Sequence, residues 1–295
     1  MLPVADQRIL RGVSATLSWQ NVGGDGEVAA PSGAVTVGVT RDDGTVLVAP
    51  GAATTGTGSG PRTYALAASD NTLLDLLTAT WTDAGDGSTH TTYVEVVGGY
   101  YFSIAEARAS DATLADAAKY PDATIVEVRR EVEEEFERIC DVAFVPRYGS
   151  QIVSGTNQSS FLLDQNAVRS VRSVWSYSDT TNYTAWTATE IASLHTEDGR
   201  VTSRTGVPFT YGAVNLRIAY EHGLSRPPAE VKRAALQRLR DRLNQAKTGI
   251  PDRATSFAVA EGGTYRLDQA GPYKTGMPNV DATLARWSHR IPGIA

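Results

Sequence analysis

At Gly98-Gly99 the hydrophobic pattern of the chain changes period. Upstream, polar and apolar residues alternate. Residues 14–20 read Ser-Ala-Thr-Leu-Ser-Trp-Gln, residues 35–39 repeat the pattern, and Leu77, Ala79 and Trp81 repeat it again. A period of two puts every second side chain on one face of a strand, so these segments predict half-buried strands. Asp42-Asp43-Gly44 supplies a turn into residues 46–48, and Asp86-Gly87 supplies one into residues 91–97. Residues 51–61 read as a Gly/Thr/Ser-rich loop with nothing to bury. Short strands separated by turns predict that residues 1–98 form an all-β sandwich of immunoglobulin-like type. There is no Cys-Trp-Cys framework, so only the architecture is implied.

Downstream the period becomes helical. Ser103 is placed to cap a short helix, with Glu106 completing a capping box. A second helical piece starts at Asp111 and ends near Pro121, and Asp122 then caps a longer helix. Ile125, Val128, Val132, Phe136 and Ile139 follow at spacings of three and four, which gives one apolar stripe. Glu131, Glu133, Glu134, Glu135 and Glu137 occupy the other faces, so this helix is expected to be acidic on its exposed side.

After Pro146 strand signals return. Residues 160–163 and 170–177 predict strands, residues 187–195 and 200–202 flank an Asp198-Gly199 hairpin turn, and residues 213–220 alternate again. Pro227-Pro228 opens another helix whose apolar face is Val231, Ala235, Leu239 and Leu243, widened by Leu236. Arg233, Arg238, Arg240 and Arg242 spread over its other sides, and Gly249 ends it. Residues 250–295 are glycine- and proline-rich and too weakly apolar for a core of their own. They could make a brief hairpin across Glu261-Gly262-Gly263 and otherwise predict an extended arm ordered by a partner. The whole is therefore an α+β multidomain chain. Residues 1–98 are the β domain, residues 99–249 a helical domain with a β insertion at about 147–223, and residues 250–295 the arm.

Composition narrows the function classes. With 41% hydrophobic and 20% charged residues the chain is of the folded class, and no apolar run is long enough to span a membrane. Charge appears within residues 1–11 before any apolar run, so no secretory signal is visible, and the lone Cys140 fits a reducing site of synthesis. Residues 1–98 carry four Lys/Arg against ten Asp/Glu, whereas residues 226–295 carry twelve against six. An acidic front and a basic tail predict different surroundings for the two ends.

No catalytic constellation is legible. His90, His195, His222 and His289 lie far apart without a carboxylate or second histidine at ligand spacing, and each reads as a surface or turn residue. Cys140, at the apolar end of its helix, reads as a packed thiol. Glu133-Glu134-Glu135 point about 100° apart on a helix and cannot converge on one metal. They read as a solvated face or as an acidic docking surface. The glycine-rich stretches match no phosphate loop. No DNA-reading motif is present, although a modestly basic tail suits a lumen through which DNA passes. The expectation is a non-enzyme without cofactor or metal.

From Tyr100 onward the order of signals resembles the head–tail connector family of long-tailed double-stranded DNA phages. Residues 100–108 (Tyr-Tyr-Phe-Ser-Ile-Ala-Glu-Ala-Arg) resemble its opening helix. Residues 125–140 followed by Val142-Ala143-Phe144-Val145-Pro146 resemble its second helix and exit. Residues 168–174 resemble the strand leading into its insertion. Residues 214–224, ending in Glu221-His222-Gly223-Leu224 and followed by the helix from Pro228, resemble its strand-to-helix junction. The resemblance covers residues 100–249 and implies an adaptor made in the host cytoplasm and placed in the neck of the virion. It implies a ring, usually a dodecamer, that docks under a portal protein, receives a stopper or tail-terminator protein, and lets DNA pass without contact to a membrane. On that reading Tyr265, Arg266, Tyr273, Lys274, Arg286 and Trp287 are candidates for a portal-binding arm. Glu133, Glu134 and Glu135 against Arg233, Arg238 and Arg240 are candidates for complementary charge surfaces, within or between subunits. The competing reading is a carbohydrate-binding or adhesive virion module built on Trp19 and Trp81, although tryptophans on alternating strands more often pack a core.

Overall fold

The computed structural model describes residues 3–178, 183–245, 256–258, 264–266, 271 and 273–288. It is a mixed α+β protein whose chain divides into two compact units. Residues 1–99 and 146–223 make the first, and residues 100–145 and 224–295 the second.

The N-terminal part of the first unit has seven strands: β1 (Gln7–Leu10), β2 (Ala15–Trp19), β3 (Val35–Thr40), β4 (Val46–Ala53), β5 (Arg62–Leu66), β6 (Asp75–Asp83) and β7 (Thr89–Val97). Five of them form a sheet in the order β1-β7-β6-β3-β4, and β2 pairs with β5 in a separate ribbon. All pairs are antiparallel except β1 with β7. The alternation read in the sequence marks the buried face: Leu77, Ala79 and Trp81 of β6 are fully buried against Leu17 and Leu66 of the ribbon. Two strands carried no signal. β1 buries only Ile9, while β5 begins with Arg62, whose guanidinium is tied to the Gly58 and Gly60 carbonyls. The expected loop from residue 51 starts as strand, because β4 continues to Ala53, with Thr36 and Val37 of β3 opposite Ala53 and Ala52.

The second unit begins with α1 (Ile104–Ser110), whose Ser103–Glu106 capping box forms as expected. A short 3-10 turn follows at Ala112–Ala115, capped by Asp111. Next comes α2 (Asp122–Cys140). Asp122 is the first helical residue rather than the cap, since Pro121 holds the cap position and the Asp122 carboxylate is engaged by Arg108.

The chain then returns to the first unit through β8 (Arg147–Gly155), β9 (Ser160–Leu162), β10 (Val168–Tyr177), β11 (Tyr183–Ala185), α3 (Ala188–Ala192), β12 (Leu194–Glu197), β13 (Arg200–Ser203) and β14 (Gly212–His222). A four-stranded sheet, β11-β10-β14-β8, faces a three-stranded one, β12-β13-β9. Between them lie Val174, Leu216, Ile218 and Tyr220 on one side and Phe161, Val201 and Phe209 on the other. Phe209 is stacked on Trp186 at 5.0 Å and meets Phe161 edge-on at 4.5 Å. The expected strand at residues 187–195 is corrected: Thr187 and Glu190 form a capping box that starts α3, and only β12 is extended. Asp198 and Gly199 have φ of 45° and 76°, the left-handed pair that a two-residue hairpin turn requires.

Three ion clusters link residues 1–99 with residues 146–223 inside this unit. Glu95 lies between Arg8 (2.7 Å) and Arg147 (3.5 Å). Asp42 accepts from Tyr148 Oη (2.6 Å) and pairs with Arg217 (2.8 Å). Asp75 pairs with Arg41 (3.0 Å) and Arg172 (3.5 Å). Leu74, Leu76, Tyr148 and Ala219 pack beside them as a small apolar cluster.

The second unit resumes with α4 (Ala229–Gln245), the ribbon β15 (Ser256–Ala258) with β16 (Thr264–Arg266), and α5 (Pro278–Trp287). Here the expected extended arm is corrected. Val280 and Leu284 of α5 are buried, and α5 packs on α4 and α2. Residues 261–263, the expected hairpin tip, lie outside the described residues.

Candidate functional site

The residues singled out for docking converge on the helical layer of the second unit. In α2 the residues at Ile125, Val132, Phe136 and Ile139 are buried as the stripe predicted. So, against expectation, are Glu133 and Glu135. Glu133 accepts a hydrogen bond from the Tyr101 backbone N–H at 2.9 Å. Glu135 makes a two-pronged pair with Arg238 of α4, Nε and Nη2 each donating at 2.9 Å. Arg238 also donates to Asp241 at 2.8 Å. Burial alone would lower the arginine's pKa, but Glu135 and Asp241 outweigh it and hold the group charged. Arg242 continues the row, reaching Glu131 at 2.8 Å and Glu135 at 3.3 Å. A planar guanidinium matches a carboxylate fork, which is why this seam uses arginine.

The two charged helices therefore meet within one chain. The reading of a wholly exposed acidic face fails because a helix packed on two sides buries more than one stripe. Glu134 stays exposed, as does Arg233, while Arg240 lies 3.8 Å from Asp111. Lys232 engages Glu106, so the carboxylate that completes the α1 cap also ties α1 to α4.

The arm candidates divide. Arg286 pairs with Glu230 at 2.6 Å and Trp287 Nε1 donates to the same carboxylate at 2.7 Å, with the indole edge-on to Phe144 at 6.0 Å. Both are thus engaged inside their own unit. Tyr273 and Lys274 are exposed. Tyr265 and Arg266 lie in β16, and their side chains fall outside the described set.

At the base of the insertion the Leu224 N–H donates to the Ala143 carbonyl at 3.0 Å, which pins the chain's exit from α2 to its entry into α4. Sequence reasoning had no signal for this bond, since backbone groups carry no residue signature.

The other candidates for chemistry, Cys140 and the histidines, have these surroundings where they are described. Cys140 is buried, donates to the Leu284 carbonyl at 3.5 Å, and has its pKa pushed up to about 12 by desolvation. His90 stacks on Trp19 at 4.9 Å, His195 bonds Arg204 at 2.9 Å, and His222 lies beside Tyr220. His289 lies outside the described residues. Among the described residues no group of three His, Cys, Asp or Glu is arranged to hold a metal, and no helix is long and apolar enough to cross a membrane. Trp81 is fully buried, with its indole N–H on Thr92 Oγ1, and Trp19 is half-buried against it.

No protein-family model matches the chain, and no curated protein matches it. Similar solved structures include two neck assemblies. One, the neck of an empty GTA particle computed with C6 symmetry, has a TM-score of 0.44 at 15% identity, covering 66% of this chain and 93% of the other. The second, the neck of a native GTA particle computed with C12 symmetry, has a TM-score of 0.39 at 14% identity, covering 68% and 98%. Likeness at this level transfers neither family nor role.

Proposed function

We propose that this chain is a structural virion protein, a head-to-tail adaptor. On this reading it docks as a ring under a portal, continues a DNA channel and offers its free face to a stopper or tail protein. The observation that carries the reading is the pinned insertion. The capped opening helix, the long α2, the exit at residues 142–146 and the Gly223-Leu224 junction into a proline-opened α4 occur in the order the family resemblance implies. One backbone bond between Leu224 and Ala143 closes the β insertion at its base. The helices so gathered are joined by structural ion pairs, which suits a scaffold. The N-terminal β region, of immunoglobulin-like type, serves as a surface decoration or docking face of the ring. With Arg286 and Trp287 engaged inside their unit, portal contact falls to Tyr265, Arg266, Tyr273 and Lys274.

The test is immuno-electron microscopy of particles from the source, with antibody raised against residues 1–98. Label confined to the neck is expected. Label at the tail tip or over the capsid would favour an adhesive module instead, and an unlabelled particle would remove the virion reading altogether.

A further inference from the structure

Among the described residues the four-stranded sheet of the insertion has two strands paired on one side: β8 by β14, from His222↔Arg147 to Leu216↔Val153 and, after a register shift, at Gly212↔Gly155, and β11 by β10. An edge strand presents a row of unsatisfied N–H and C=O groups, and proteins normally blunt it with charge, proline or a bulge. This chain does so in its five-stranded sheet, where edge strand β4 contains Pro50. β8 opens on Arg147, whose side chain is turned inward to Glu95, and its pairing with β14 shifts register near Gly155, but the strand between them is unguarded. From Tyr148 to Leu163 there is no Asp, Glu, Lys, Arg, His or Pro, and Ile152 stands 55% exposed in mid-strand. β11 is equally bare, with Tyr183, Thr184 and Ala185 all exposed and uncharged.

Strand direction decides what fits this edge. Every pair in the sheet is antiparallel, so β8 and β11, at its two ends, run in opposite directions. A second copy in the same orientation, set with its β11 beside β8, continues the alternation without a break. β8 from Tyr148 onward and the whole of β11 lack charged side chains, so these stretches bring no charge repulsion to one another. Such a contact joins different patches of identical chains, and contacts of that kind close into rings when the rotation permits.

We propose that β8 of one copy pairs with β11 of the next, so that the four-stranded sheets of neighbouring subunits run on edge to edge. The proposal deepens the adaptor reading and rests on it for ring closure, while the pairing itself is read in solution.

Two measurements on the full chain test it. Ile152→Lys places a charge on the bare edge without touching a buried group. Sedimentation velocity over a concentration series should show association of the parent chain, weakened about a hundredfold by the lysine, with an unchanged melting curve. Separately, a chain carrying both Ile152→Cys and Thr184→Cys is oxidised, with the buried Cys140 as a silent background. The expected product is a ladder of covalent multimers from the double variant and monomer from each single one. Dimers from Ile152→Cys alone would show two-fold β8–β8 pairing and overturn the proposal. So would a parent chain that stays monomeric, an association indifferent to Ile152→Lys, or a double variant without a ladder. The adaptor reading falls on other evidence, absence of the chain from particles, so the two can fail separately.

Discussion

Glu135 and Arg238 are only 7% and 8% exposed at their side chains, and each is the other's main partner. Removing Arg238 leaves the buried Glu135 charge with only Arg242 at 3.3 Å and without its two-pronged partner, whereas replacing both halves with apolar residues of similar size is often nearly neutral. Arg238→Ala should therefore cost about 3–5 kcal/mol in chemical denaturation, and Glu135→Leu combined with Arg238→Met should recover most of it. Glu95 gives the pH prediction. Burial pushes its carboxyl up, but Arg147 and Arg8 outweigh that and leave it below the usual glutamate range. A pKa lower in the folded state than in the unfolded chain means a stabilisation present above the unfolded value and lost as pH falls through the folded one. Glu95→Gln should thus flatten the acid limb of a melting-temperature profile below the ordinary glutamate pKa. Asp75 has the opposite sign, because burial raises it despite Arg172 and Arg41, so it cannot supply the same limb.

At the scale of elements, α5 shows where pattern reading stops. Its sequence buries only Val280 and Leu284, one turn apart, after Pro278 at the helix start. Two apolar positions in a glycine- and proline-rich stretch give no periodic signal, and only the presence of α4 and α2 makes them a core face. Leu284→Ala should lower stability by about 2–5 kcal/mol in a denaturant titration, as a loss from a packed core. A change near zero would restore the picture of an arm that orders only on a partner. The capping boxes carry the converse lesson. Ser103 with Glu106 was legible because helical spacing follows it. Thr187 with Glu190 has the same signature, masked by an alternation of Thr, Ala and Leu that reads as strand.

Across the whole molecule, the first compact unit is built from two stretches of chain separated by α1 and α2. Asp42, Asp75 and Glu95 of the N-terminal stretch each find an arginine in residues 147–217. A fragment of residues 1–99 loses those partners and exposes Leu74 and Leu76. It should melt well below the first unit in the full chain, by several kcal/mol if the buried carboxylates stay charged. Equal stability in a calorimetric comparison would show that the N-terminal strands are self-sufficient.

What the amino-acid sequence determined by itself is what local periodicity can carry. The strands around Leu17, Val37 and Trp81, the apolar stripe of α2, the α1 cap and the proline-opened start of α4 are all written at neighbouring positions. Tertiary structure alone decided which charges are buried, since Glu133, Glu134 and Glu135 are alike in sequence and differ only in what packs over them. It also decided that Arg286 and Trp287 turn onto Glu230, and that β8 comes last in the order of its sheet. Burial and pairing are properties of residues far apart in the chain, and no spacing along it records them.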